Sequence, residues 1–433
     1  MLKRLQLVGV GPAPRMQVEF GDRLNLLTGD NGLGKSFLLD AAWWALTRNW
    51  AGNAARPRDE APTASIAVRV KARTNAVETK WVFRHPQQSW VKSQGRPVMP
   101  GVVVYARVDG GFSVWDPTRH YWRIAPSVGV DDPDRLPALH FESSALWNGL
   151  EKNGRRTCEG LIRDWVLWQT SNDSSLFDNL KQVLRALSSP EEPIEPDQPV
   201  RVSLDDGFDT PTIRTSYDRR VPLTHASAAV RRVCGLAYLL VWAWREHIKG
   251  SKVLRKRPEN RLVLLIDEPE THLHPKWQRA IIPAVFRAAK AMMQLEQVKI
   301  QLIAATHSPL VLASVEPEFD PKTDSLIDLQ IVPPKNGGFA KVEANTVEWQ
   351  RRGDVTAWLT SEIFELRQAR SREAEEAIEQ ASKLLSASPP DSKALKELDR
   401  RLRKLLGELD SFWIGWRYAG EKGGWLKRNG SVK

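Results

Sequence analysis

Cysteine is scarce in this sequence: Cys158 and Cys234 are the only two. That excludes a disulfide framework and a cysteine-based metal scaffold, and it fits a reducing compartment. Long apolar runs are also missing. The longest, GLAYLLVWAW (Gly235 to Trp244), falls well short of the ~20 residues that cross a bilayer. The start, MLKRLQLVGVGPAP, alternates like a strand and lacks the apolar core and cleavage site of a signal peptide. The expectation is a soluble, cytoplasmic chain with no membrane partner. An acidic excess is absent too: 63 Lys and Arg stand against 52 Asp and Glu, for a formal charge of +11. Such a balance permits a polyanionic partner such as DNA without requiring one. Tryptophan, by contrast, is plentiful, with 18 in 433 residues. Trp43, Trp44, Trp242 and Trp244 fall within apolar patterns, so they read as core or interface residues, with base stacking the lesser option.

Residues 27 to 40 read LTGDNGLGKSFLLD. RLNLL before this stretch has the look of a short buried strand, and SFLLDAAWWALTR after it carries apolar residues at helical spacing. Between them Gly29-x4-Gly34-Lys35-Ser36 fits the P-loop pattern in its strand–loop–helix context. Glycines let the backbone turn its N–H groups toward an anion, and the helix start adds positive potential. The loop Gly29, Asp30, Asn31, Gly32, Leu33, Gly34, with Lys35, Ser36 and Phe37, is therefore the candidate ATP cradle. Lys35 would reach the β- and γ-phosphates and the Ser36 hydroxyl would bind Mg²⁺.

A second element is LVLLIDEPETHLHP. Five apolar residues lead into Asp267 and Glu268, which puts two carboxylates at the carboxyl end of a buried strand, where open α/β sheets bind ligands. Asp267 would hold Mg²⁺, and Glu268 would orient and polarise the water that attacks the γ-phosphate. The third element is AATHSP, in which His307 ends the next strand, 39 residues after Glu268 (307 − 268). From there it would contact the γ-phosphate and fix the water.

Lys35 and Asp267 are 232 residues apart (267 − 35). A large insertion between P-loop and acidic strand, a switch-like histidine, and the loop variant GDNGLGKS resemble the ABC-type ATPases, including the RecF, SMC and OLD-like groups. The resemblance implies a signature element before the acidic strand, and Ser227 in PLTHASAAVRRVCGLAYLLVWAW is its candidate. There Ser227 would grip the γ-phosphate bound to a second copy, although Ala228 and Ala229 stand where that class has glycines. As a plain N-cap, Ser227 also makes sense. Gln87 and Gln88 are weak candidates for a Q-loop. DEPETHLHPKWQR with AATHSPLVLAS further resembles the ATPases of bacterial anti-phage defence modules, closest to the ATPase subunit of Septu-type systems. That implies a homodimer or higher even oligomer, and a separate nuclease or effector subunit of the HNH type. His272 and His274 then belong to an interface loop rather than a metal site. The alternative is a RecF- or SMC-like repair ATPase that closes on DNA.

The fold expected is α/β: an ABC-type P-loop NTPase core with an antiparallel β subdomain, a helical insertion and a helical C-terminal region. The expected segments are 1–135, an N-terminal ATPase lobe; 136–225, helical insertion and linker; 226–350, a C-terminal lobe with signature, acidic strand and histidine; and 351–433, a helical partner or oligomer region. GVVVYARV is grouped with antiparallel strands, and SSPEEPIEPDQP (Ser188 to Pro199) reads as an exposed connection. A helix is expected from about Ser227 to His247, followed by a loop with six cations: Lys249, Lys252, Arg255, Lys256, Arg257 and Arg261. Those cations are candidates for phosphodiester contact, with a solvated loop equally compatible. The aromatic tail FWIGWRYAGEKGGW is too apolar to lie free and should dock on its own fold or on a partner.

Overall fold

Runs of consecutive apolar residues, rather than alternating ones, mark the strands of the central sheet. All seven residues of Arg261–Asp267 and all five of Val102–Ala106 are buried, as strands covered on both faces must be. The computed structural model describes residues 1–433 except 60, 72–74, 93–97, 122–135, 153, 190, 216–218, 295–296, 335–339, 388–390 and 427–433. Two units are present, Met1–Val355 and Thr356–Lys433.

The first unit is α/β. Its eight-stranded sheet runs in the order Lys341–Val347, Ser325–Val332, Leu24–Gly29, Lys299–Ala305, Arg261–Asp267, Val102–Ala106, Phe112–Trp115, Leu139–Phe141. The five strands from Ser325–Val332 to Val102–Ala106 are mutually parallel, and the outer pairings are antiparallel. Val102–Ala106 thus departs from the antiparallel expectation. It lies parallel beside Arg261–Asp267, and only its other edge pairs antiparallel, with Phe112–Trp115.

A second, five-stranded antiparallel sheet is ordered Arg15–Glu19, Leu2–Val8, Ser65–Lys71, Ala76–Arg84, Ser89–Lys92. The helix Lys35–Thr47 shares one apolar core with residues of both sheets. Ten of its thirteen residues are buried, the mark of a helix enclosed on all sides. Tryptophans hold this layer together. Trp44 stacks on Trp50 with centroids 5.2 Å apart and meets Trp81 edge-on at 5.6 Å. The Arg48 guanidinium lies 3.5 Å from the centre of the Trp81 ring, a cation–π contact that lets a charged side chain be buried.

Between these layers' chain segments come the helices Leu161–Thr170 and Ser175–Leu187 and a three-stranded sheet. The proline-rich stretch differs from the expected exposed connection. Ser188, Ser189 and Ile194 are buried, and Glu195–Val200 forms the edge strand of that sheet, paired with Thr210–Arg214. An edge position tolerates Pro196 and Pro199 because one side of the strand needs no N–H donors.

The long helix is Ala228–Val253, so it runs past the expected end near His247. Lys249 and Lys252 therefore sit on a helix. Arg261 is buried at a strand start and paired with Glu259 at 2.8 Å. The expected six-cation loop shrinks to Arg255, Lys256 and Arg257, all exposed.

In the second unit, helices Arg372–Ser386, Ser392–Leu405 and Phe412–Lys422 close around Ile378, Leu395, Leu402, Trp413, Trp416 and Trp425. Leu395, Leu398 and Leu402 follow helical spacing. Ser371 and Asp391 cap the first two helices by accepting backbone N–H bonds. The aromatic tail docks within its own unit: Trp416 lies 4.7 Å from Trp425, and its Nε1 donates to Asp399 at 2.9 Å. Leu402→Ala should cost about 2–5 kcal/mol in chemical denaturation, as for a buried leucine. Ile414→Ala, at a site 78% exposed, should cost less than about 0.5 kcal/mol. Equal losses would contradict this packing.

Candidate functional site

Three neighbouring parallel strands deliver the site. Leu27 pairs with Ala305, and Ala305 pairs with Asp267. The carboxyl ends of Leu24–Gly29, Lys299–Ala305 and Arg261–Asp267 therefore finish side by side, although they come from distant parts of the chain.

The loop after the first strand needs its glycines for two physical reasons. Gly29 has φ +121°, and a Cβ there would lie 2.2 Å from the Leu329 carbonyl oxygen. Gly34 has φ +97° and precedes the helix, where a Cβ would meet Pro12 at 2.7 Å. Asp30, Asn31 and Gly32 are exposed, while Leu33 is buried in the core and anchors the loop. Phe37 packs its ring against Gly11. The Lys35 ammonium bridges the loop mouth, donating to the carbonyls of Gly29 at 2.8 Å and Asp30 at 2.9 Å. Burial lowers its pKa, opposed by the nearby Glu268 and Asp267 carboxylates.

The Ser36 hydroxyl lies beside the Asp267 carboxylate, and the Asp267 Oδ1 is buried without a hydrogen-bond partner. Burial raises the Asp267 pKa. A hydroxyl beside a carboxylate with a spare oxygen fits Mg²⁺, a hard ion that takes few protein ligands and keeps several waters. Glu268 follows with φ +50°, a left-handed conformation that is costly for a residue with a Cβ. Its backbone N–H donates to Ala305 at 3.0 Å, and its Oε1 faces His307 Nε2 at 3.3 Å. Burial first, then the neighbouring Glu270 and Asp267, push the Glu268 carboxyl up to about 8. Burial and Lys35 lower the pKa of His307. Both shifts disfavour the charged forms, which weakens this close approach as an ion pair.

Lys35, Ser36, Asp267, Glu268 and His307 are thus gathered in one place. Ser227 is not among them. It is exposed at the start of the long helix, and its Oγ accepts from the Val230 N–H at 3.3 Å. Gln88 bonds back to His85 within its own turn at 2.8 Å. His274 accepts from the Lys276 N–H at 3.3 Å. Among the described residues no group of three or more His, Cys, Asp or Glu is arranged to hold a metal.

Two residues of the site escaped the sequence reading. Glu270 accepts from Thr306 Oγ1 at 2.6 Å and from the His307 N–H at 2.9 Å, which fixes the loop that carries the histidine. Its only signal was its place in DEPE, two residues past Glu268. Arg232 projects from the long helix and donates to the carbonyls of both Asp267 and Glu268 at 3.1 Å. Nothing in the sequence links Arg232 to residues 35 and 36 positions away.

The retron relatives match only short stretches. "Retron Ec83 probable ATPase" from Escherichia coli is 30% identical over 106 residues, 24% of this chain and 15% of that protein. "Retron Vc95 probable ATPase" from Vibrio cholerae is 45% identical over 58 residues, 13% of this chain and 9% of that one. The matched stretch is thus well under a fifth of the length of either curated relative. Among solved structures, the SMC head domain of Thermotoga maritima aligns with 80% of this chain and 99% of its own, at 15% identity and TM-score 0.38. The Pyrococcus furiosus Smc head bound to the C-terminal domain of ScpA aligns with 80% and 96%, at 12% identity and TM-score 0.38. A family model covers residues 24–313, from the P-loop strand to the helix after His307. By that match the chain belongs to the family described as "AAA domain, putative AbiEii toxin, Type IV TA system".

Proposed function

We propose that the chain binds ATP with Mg²⁺ on its P-loop, hydrolyses it at an interface between two copies, and regulates a separate nuclease or effector in bacterial anti-phage defence. One observation carries the catalytic part: Lys35, Ser36, Asp267, Glu268 and His307, from three distant segments, meet at the carboxyl ends of adjacent strands. The retron relatives, each named as an ATPase, support the same chemistry. The link to a Septu-type module and to an HNH partner rests on the sequence resemblance in the acidic-strand and histidine motifs.

The loop's backbone N–H groups and the helix start hold the triphosphate. Lys35 exchanges its two carbonyl acceptors for phosphate oxygens. Ser36 and Asp267 would hold Mg²⁺, which would supply positive charge against the phosphates. Glu268 accepts the proton of the attacking water, and His307 beside it holds that water in line. The exposed Ser227 at a helix start is available to a nucleotide held by a second copy. A second reading, an ATPase that closes on DNA, is favoured by the cationic cleft described below.

Lys35→Ala should abolish ATP binding in a calorimetric titration; retained affinity refutes the P-loop assignment. Glu268→Gln should still bind ATP, hydrolyse it at least about 10²-fold more slowly, and accumulate as a dimer in light scattering. Normal turnover would move the base elsewhere. The partner reading predicts that ATP changes the nuclease activity of a protein that co-purifies with the chain, and an ATP-independent activity contradicts it.

The pH dependence follows from Glu268. A base must be ionised to accept a proton, so kcat/KM should rise about tenfold per pH unit toward a plateau near pH 8, the value to which its carboxyl is raised. The same raised pKa opposes folding. Below its ordinary value of 4.5 the group is neutral in both states, and the destabilisation grows as pH climbs to about 8. Glu268→Gln should therefore raise the Tm more at pH 8.5 than at pH 5; an equal gain at both would contradict the shift.

A further inference from the structure

The amino ends of the parallel strands, the side of the sheet away from the P-loop, form a second site. A cleft of about 1100 Å³ opens there, lined by residues that include Arg23, Arg261 and Lys299, which begin or just precede three neighbouring strands. A seven-residue strand separates Lys299 from Ala305, so the cleft lies roughly 20 Å from the carboxyl ends. Seven of the lining residues are Lys or Arg and two are acidic, Asp22 and Glu318.

Three of the cations are already committed. Arg23 is paired with Asp324, Arg261 with Glu259, and Lys71 with Asp22 at 3.6 Å. The other four, Arg257, Arg287, Lys290 and Lys299, are exposed. Among the described residues none of these four makes an ion pair, and Arg287 has only a long bond of 3.4 Å to the Ala186 carbonyl. They come from three separate elements: the loop after the long helix, the helix Ile281–Met293 and a strand start. Phe286, Ile300, Val298 and two prolines supply apolar wall between them. Four exposed cations without an ion pair among the described residues, set around a partly apolar cleft, match a chain of phosphates carrying flat bases. Isolated surface lysines do not share this arrangement.

We infer that this cleft binds a nucleic-acid segment through its phosphodiester backbone. The inference stands independently of the nucleotide reading, since none of its residues touches the P-loop cluster. It also relocates the basic contact expected from residues 249–261: of those six cations only Arg257 and the already paired Arg261 line the cleft.

The test is the salt dependence of binding by the full chain to a fluorescent 20-nucleotide single strand and to a duplex of equal length. The triple variant Arg287→Ala, Lys290→Ala, Lys299→Ala removes three exposed cations, so its fold should survive. Its log–log salt slope should flatten by about 2 on the single strand and by about 3 on the duplex, at roughly 0.7 and 0.9 per phosphate contact. Lys80→Ala, an exposed lysine away from the cleft, should leave the slope unchanged. ATP affinity, measured on the same triple variant, should match the parent, which separates failure here from failure of the P-loop assignment. Binding to either nucleic acid with the flattened slope supports the site, and the arm that responds names the strandedness. An unchanged slope, no binding to either, or capture of inorganic tripolyphosphate alone would overturn it.

Discussion

The assembly of the proposed nucleotide site depends on the register of three parallel strands. Hydrogen bonding of Leu27 to the Ala305 strand, and of that strand to Asp267, aligns three strand ends drawn from widely separated segments. A slip of one residue would turn every side chain to the opposite face of the sheet. The P-loop lysine, the acidic pair and the histidine would then face different layers. The near-continuous burial of these strands is what fixes the register, because each has an apolar layer against both faces.

The site is also built under local strain. Glu268 sits in a left-handed conformation, its carboxyl is forced toward neutrality by burial, and a second carboxylate, Glu270, lies next to it. Such a residue stays in place only if its neighbours hold the backbone. Arg232 does so by gripping the carbonyls of Asp267 and Glu268 together, and Ala305 accepts the Glu268 N–H. One arginine thus ties the start of the long helix to the peptide units that carry both acidic side chains.

What the sequence revealed was local, and what it hid was distant. The P-loop, the acidic pair and the histidine each announce themselves within a short window, since backbone geometry and strand ends impose their spacing. Arg232 could not be read that way, because its role lies entirely in a contact made across the fold. Glu270 lay in view but had no periodicity to mark its use. The strand Glu195–Val200 was hidden by its own prolines, which ordinarily argue against pairing and are allowed here only by an edge position. The end of the long helix was misplaced because Lys249 to Val253 resemble loop in composition, yet Ser251 is buried and the helix carries on. The parallel setting of Val102–Ala106 likewise depends on which strand arrives beside it from 160 residues later in the chain.

Those two prolines have a consequence beyond the sheet that tolerates them. An unpaired strand edge is a template on which another chain can lay a strand of its own, the first step toward aggregation. Pro196 and Pro199 carry no N–H, so the outer rim of this small sheet cannot offer an unbroken row of donors. The composition that disguised the segment as a linker also shields it from unwanted self-association.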